Sequence, residues 1–177
     1  ITRNRKQRKN MNTKIAYQGR PGAYSHLACL KAFPNAEPIA CETFEEAFEK
    51  TYKRKTDISL IPVENSLAGR VADIHNLLPK TKLVITGEYF LKIDHQLLAI
   101  QTASLENIKF AVSHFHALAQ CREFLQKNNI KPVLGTDTAG SAEELSKQGK
   151  NDTAAIASSL AAEIYNLKIL KSNIQDA

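Results

Sequence analysis

Strands alternating with helices along the 177 residues predict an α/β fold, a mostly parallel sheet with helices on both faces. Three observations carry that prediction. The apolar run Lys14–Gln18 stops at Gly19-Arg-Pro-Gly22, and apolar residues then recur at helical intervals from Ala23 to Phe33, which reads as strand, glycine turn, helix. The same unit recurs later, where Lys109–Val112 runs into Ser113-His114 and then into helical spacing over Ala117–Lys127 at Leu118, Cys121 and Leu125. Capping residues mark further helix starts, the clearest being Thr43 with Glu46 three positions on, a capping box ahead of Phe44–Lys53.

The remaining elements follow in order. Asp57–Val63 reads as a buried strand ending on Glu64-Asn65-Ser66 and Gly69, and Val71–Leu78 reads as a helix. Lys82–Ile100 is β-like, alternating through Leu83, Ile85, Phe90 and Ile93 before the apolar run Leu97–Ile100. Pro132–Leu134 gives a short strand, Thr138 an N-cap for a helix through Leu145, and Ala154–Ile156 a strand. Ser158 caps a helix to Tyr165, and Leu167–Ile174 is a last extended run.

Composition removes several function classes. The net charge of +6 invites a polyanion partner, but five of the 24 basic residues (Arg3, Arg5, Lys6, Arg8 and Lys9) lie before Met11, leaving 19 bases against 18 acids. A near-neutral body without a basic, aromatic-studded patch argues against nucleic-acid binding. Residues 1–10 are read as a basic extension, added or misassigned upstream of a start at Met11, and are set aside. No apolar run approaches the length of a membrane span and no signal h-region follows the first residues, so a cytoplasmic protein without a membrane partner is expected. Cys29, Cys41 and Cys121 are odd in number and widely spaced, which fits reduced, buried thiols.

Four polar clusters fall at strand-to-helix junctions, where open α/β sheets bind ligands: Gly19 with Gly22–Ser25, Glu64–Ser66, Ser113–His116 and Thr136–Ser141. Each helix start offers unpaired backbone N–H groups and a positive dipole end, so a small anion is the expected ligand; taken singly, each cluster is equally an ordinary cap or turn. Glu64 follows apolar Val63, a setting that desolvates a carboxylate, with a surface cap or ion pair as its alternative role. His114-x-His116 lacks a third ligand at a recognisable spacing, and no metal site is expected. Gly19-x-x-Gly22 lacks the dinucleotide fingerprint. His75 and His95 are read as satisfying structural partners.

Taken together, several segments in one order resemble the catalytic region of prephenate dehydratases. They are Gly19-Arg-Pro-Gly-Ala-Tyr-Ser-His26, Ile61-Pro-Val-Glu-Asn-Ser66 with Gly69, Gly87-Glu88 before Ile93-Asp-His-Gln-Leu97, Ser113-His114 with Gln120-Cys121, Thr138-Ala139, and Ala154-Ala-Ile-Ala157. The resemblance spans Ile15 to Asp176 and implies a two-lobed fold like the type II periplasmic binding proteins. Lobe 1 would hold about 11–90 plus 170–177 and lobe 2 about 91–169, with crossovers near Glu88–Leu97 and Leu167–Ile174 and the cleft between lobes.

It further implies decarboxylating dehydration of prephenate to phenylpyruvate without a cofactor. Glu64, Asn65, Ser113 and Gln120 would carry catalysis, with Ser66, Thr138, Ala139, Glu88, Ala23 and Tyr24 binding the substrate. Two departures stand out. The family's Ser-His-Pro-Gln is here Ser113-His114-Phe115-His116, and its Thr-Arg-Phe motif, which supplies a catalytic threonine, would follow Ile174-Gln-Asp176, where this sequence ends at Ala177. An ACT domain would come after that, carrying feedback by L-phenylalanine. The resemblance implies a homodimer, and it implies impaired turnover for the chain as it stands. Arogenate dehydration is the nearest alternative activity, and a non-catalytic module binding a small anion or amino acid is the alternative from another class.

Overall fold

The computed structural model describes residues 13–65 and 69–176, and these form an α/β architecture of two compact units. Of the described residues, the first unit holds 13–19 and Ala28–Tyr89, and the second holds Arg20–Leu27 and 90–176. The basic extension lies outside the described residues.

In the first unit, β1 (Lys14–Gln18) is flanked in parallel by β2 (Glu37–Cys41) and β3 (Ile58–Ser59). The pleat sends alternate β1 residues to opposite faces. Ile15 and Tyr17 pack with Cys29 of α1 (Tyr24–Ala32), whereas Ala16 packs with Ala47 of α2 (Phe44–Tyr52). The expected cap of α2 is present, Thr43 Oγ1 accepting from Glu46 N at 3.1 Å. Residues Glu37–Cys41 form a strand the sequence pattern did not single out. Glu64–Asn65 (β4) and Gly69–Arg70 (β5) pair antiparallel as a small ladder, followed by α3 (Ala72–Leu77).

The second unit is built on a five-stranded sheet. Its strands are β6 (Gln96–Ala99), β7 (Phe110–Ser113), β8 (Lys131–Leu134), β9 (Thr153–Ala157) and β10 (Lys168–Lys171), in the order β10-β6-β9-β7-β8. The β9-β7-β8 part is parallel, and β6 runs antiparallel to both its neighbours. Every residue of β6 and β9 is buried, because helices cover both faces. Leu97, Ala154 and Ile156 join one core with α4 (Phe115–Gln120) and α5 (Arg122–Lys127); Leu98, Ala155 and Ala157 join another with α6 (Thr138–Gln148) and α7 (Ser159–Ile164).

Four expectations are corrected. Among the described residues, 170–176 lie in the second unit and not the first, with β10 hydrogen-bonded along β6, and Arg20–Leu27 belongs to the second unit as well. Residues 82–95 are not a strand, since no partner ladder forms among the described residues, and Val84 and Ile85 are both exposed, at 79% and 72%, rather than alternating. The helix expected over Ala117–Lys127 breaks at Cys121, and Asp137, not Thr138, caps α6, its carboxylate accepting from Gly140 N at 2.6 Å.

The Arg20–Leu27 segment is held to α7 at close range. Gly22 sits at φ +86°, and a Cβ there would lie 2.9 Å from the Ala161 Cα. Ser158 Oγ donates to Gly22 O at 2.6 Å, and the Tyr165 phenol donates to Pro21 O at 2.8 Å. Gly149, the C-cap of α6, is also left-handed, at φ +64°, but nothing lies within 4 Å of its Cβ position. Gly149→Ala is therefore expected to cost about 1 kcal/mol from backbone strain alone, and Gly22→Ala on the order of 2–4 kcal/mol, because steric displacement of α7 adds to it. Urea denaturation of the two variants measures the difference; equal losses would show that α7 yields freely.

Candidate functional site

The second unit brings two of the expected residues together through one that sequence reasoning set aside. His95 lies immediately before β6 and is only 3% exposed. Its Nδ1 is 2.7 Å from the Tyr24 phenol oxygen, and its Nε2 is 2.8 Å from Gln120 Oε1. The Tyr24 and His95 rings meet edge to face. Burial lowers the His95 pKa, against the opposing pull of Gln120 and Asp94, and burial raises that of the Tyr24 phenol, so both are neutral near pH 7.

Gln120 owes its position to the helix break after it. Its backbone carbonyl accepts from Asp176 N at 2.6 Å, and the Asp176 carboxylate accepts from Glu123 N, the start of α5. The side chain is half-buried, and among the described residues its amide nitrogen has no hydrogen-bond partner. It is a donor held in place by its other end.

Ser113, at the end of β7, is completely buried, and its hydroxyl donates to Ile156 O at 2.6 Å. That proton is engaged in joining β7 to β9. Thr138 is half-buried in the first turn of α6 with Ala139 buried behind it, and Ala23 is half-buried ahead of α1. Arg20 forms an ion pair with Glu143 at 2.9 Å and lies 3.6 Å from Asp137, so the cation near the α6 start is already partnered.

In the first unit Glu64 is exposed, as is Val63 before it, so the desolvated setting expected for this carboxylate is absent. Asn65 is half-buried and pairs with Gly69, whose φ is +82°. Glu88 is exposed in an irregular stretch, and Ser66 lies outside the described residues. Among the described residues no group of three or more His, Cys, Asp or Glu could hold a metal, and no helix is long and apolar enough to cross a membrane.

The signal that could have found His95 was its place in Ile93-Asp-His-Gln-Leu97, a polar pair directly before a fully buried strand. A buried histidine there must be partnered, and its partners are then worth knowing.

A family model described as prephenate dehydratase matches residues 15–177. The chain is 42% identical over 163 residues to the bifunctional N-acyl-homoserine lactone acylase/prephenate dehydratase of Komagataeibacter europaeus, covering 92% of this chain and 58% of that one. It is 44% identical to arogenate dehydratase/prephenate dehydratase 1, chloroplastic, of Arabidopsis thaliana, covering 92% of this chain and 42% of that one. Among solved structures, GqqA, described as a novel type of quorum quenching acylase, superposes with a TM-score of 0.88 at 42% identity, covering 93% of this chain and 60% of that one. The prephenate dehydratase of Arthrobacter aurescens in complex with L-Phe gives 0.84 at 28%, covering 93% and 56%. The chain spans about half the length of the curated relatives it matches.

The lowered pKa of His95, and that of half-buried His26, also lowered by burial, make acid stability predictable. Unfolding returns both rings to an ordinary pKa of about 6.5. Below that pH the unfolded chain binds protons that the folded chain refuses, so stability is full above about pH 6.5 and falls as pH drops towards the folded values. Urea midpoints between about pH 7.5 and pH 5 should fall less steeply in His95→Gln than in the unsubstituted protein. Parallel slopes would assign the acid loss to other groups.

Proposed function

The chain belongs to the prephenate dehydratase family, and on that premise we propose that it converts prephenate to phenylpyruvate in phenylalanine biosynthesis. In this reaction the bond from the ring to its carboxylate breaks and CO2 departs, leaving its electron pair in the ring. The ring C–O bond breaks in turn, and the hydroxyl leaves as water with one added proton. Aromatisation drives the change, so the protein supplies orientation, anion binding and a proton at the leaving oxygen. No cofactor is required for that chemistry.

The observation that carries the reading is the Gln120 amide, anchored through its oxygen with its nitrogen open. A neutral, oriented N–H donor suits a substrate oxygen that bears charge. Asn65 is proposed as a second amide contact to the substrate, and the Thr138 hydroxyl as a donor to one of its carboxylates. Glu64, Ser66, Glu88, Ala23 and Ala139 are proposed to shape the substrate's surroundings. Tyr24 is proposed to act through His95. The role of Ser113 is narrower than a proton donor's: with its hydroxyl on Ile156 O, it fixes the strand end from which α4 carries Gln120.

Arogenate remains the second reading, because relatives at 44% identity carry both activities in their names. We propose a cytosolic homodimer, with L-phenylalanine as effector through a further regulatory domain. The acylase named for one relative is less favoured as chemistry for a cysteine nucleophile, since burial pushes the thiols of Cys29 and Cys121 up to about 12.

Assays of the full-length protein on prephenate, arogenate and an N-acyl-homoserine lactone separate these readings, with phenylpyruvate formation from prephenate expected. Asn65→Ala should lower kcat/KM at least about ten-fold, the scale of a lost hydrogen bond to a charged group. Unchanged kinetics would move Asn65 to a purely structural role, and inactivity on both dehydratase substrates would end the functional reading.

A further inference from the structure

We propose that His95 is a positioning residue whose Nε2–H holds the Gln120 carbonyl oxygen, so that the Gln120 amide nitrogen always faces the substrate as a donor. The inference rests on the proposed role of Gln120 in binding substrate. It concerns what decides which way round that amide sits.

A glutamine amide is nearly symmetric in shape and opposite in chemistry at its two ends. Turned one way it offers two N–H donors to an anionic oxygen; turned the other it offers a carbonyl oxygen that repels one. Nothing else among the described residues fixes the Gln120 side chain: its amide nitrogen has no partner there, and its oxygen has only His95. The orientation therefore depends on whether His95 Nε2 carries a hydrogen.

Tyr24 sets that tautomer. The phenol has one proton and two acceptors within reach, His95 Nδ1 at 2.7 Å and the Asp94 carbonyl at 3.3 Å. The Asp94 carbonyl, which also accepts from Gln96 Nε2 at 2.9 Å, has a second lone pair to offer, but 3.3 Å is long for an O–H donor and 2.7 Å is its ordinary length, so the shorter contact to the ring takes the phenol proton. Nδ1 is then an acceptor, and the hydrogen of the neutral ring must sit on Nε2, pointing at Gln120. The direction of donation runs from Tyr24 through His95 to Gln120 and leaves the amide N–H groups open at its end.

The ring itself is buried and bonded at both nitrogens, and the chain that carries it is held as well. The His95 backbone is tied on both sides, its N–H donating to Gln175 Oε1 at 2.9 Å and its carbonyl accepting from Ile174 N at 3.0 Å. The Gln120 backbone is tied to the neighbouring Asp176. One short segment, 174–176, thus registers the backbones of both residues whose side chains meet.

Two measurements on the full-length protein test the proposal. The first needs no substrate: the 15N resonances of the His95 ring report which nitrogen bears hydrogen, with protonated Nε2 and bare Nδ1 expected. The opposite tautomer would overturn the proposal. The second is a double-mutant cycle on kcat/KM. His95→Phe and Gln120→Met are each expected to lose about ten-fold or more, mainly in KM, and the double variant is expected to be no worse than Gln120→Met alone, because His95 acts only through Gln120. Tyr24→Phe, which keeps the packing and frees the tautomer, should show a smaller loss that also disappears in the Gln120→Met background. Losses that multiply would show that His95 acts independently of Gln120 and would overturn the positioning role while leaving the dehydratase reading intact. If His95→Phe does not fold, the tautomer and the Tyr24→Phe cycle decide the matter. A protein that turns over neither prephenate nor arogenate ends the functional reading, and the ring tautomer then still tests the hydrogen-bond chain by itself.

Discussion

The close approach of Gly22 to α7 is the constraint on which much of the second unit depends. The chain leaves β1 at Gly19, whose N–H donates to Cys41 O, and five residues later opens α1 with Tyr24. Between them a side chain at residue 22 would collide with Ala161 backbone, so only glycine admits the contact. Ser158 makes the contact specific. Its hydroxyl donates to Gly22 O while its oxygen accepts from Ala161 N, so one residue both caps α7 and secures the passing strand of chain. Because that link is buried, breaking it would leave polar groups without partners, and its effect on Tyr24 is correspondingly firm. Two residues on, the Tyr24 phenol meets His95 at 2.7 Å.

The C-terminal stretch provides a second fixed edge. β10 runs antiparallel along β6, and the chain beyond it continues past His95 to reach the break between α4 and α5. Asp176 caps α5 with its carboxylate while its own N–H closes on the last carbonyl of α4. The helix break at Cys121 is thereby a satisfied feature of the backbone, and Gln120 stands at it. Polar networks of this kind are costly when incomplete and rigid when complete. Here the backbones of His95 and Gln120 are registered by neighbours one residue apart, so the side-chain bond between them needs little further ordering.

Much of this was legible in the sequence, and the parts that were not have physical reasons. The α/β class followed from periodicity, and the caps at Thr43 and Ser158 followed from the chemistry of helix starts. The family motifs pointed to Gln120 and Tyr24 as residues of interest. What the pattern did not carry was strand pairing. Lys82–Ile93 has the composition of a strand but no partner among the described residues, while Glu37–Cys41 has weaker alternation and is a strand because β1 offers it a ladder. The pairing of β10 with β6, which keeps 170–176 in the second unit, escapes the pattern for the same reason, since it is a long-range choice. At the site, Thr138 suits an N-cap by residue type, and so does the neighbouring Asp137; the backbone makes Asp137 the cap. His95 was set aside because a lone histidine is most often structural. That reading was right about its partnering and silent about its partners.

The chemistry proposed for this protein gives a reason why a neutral donor such as Gln120 suits the carboxylate that departs. Prephenate carries two carboxylates, and in the reaction one of them ceases to be an anion as it becomes CO2. A fixed cation against that group would favour the substrate over the transition state, since the attraction weakens as the charge leaves the carboxylate. Amide and backbone N–H donors still orient the group, but they hold it less strongly when charged and lose less as the charge moves away. The described residues fit that requirement: the Arg20 cation is already paired with Glu143, the buried His95 ring is neutral, and the Gln120 donor is aligned by a hydrogen bond rather than by a charge. An uncharged donor has one weakness, which is that it can turn around. A histidine locked in a single tautomer, itself held by a phenol with one proton to give, answers that weakness without adding charge.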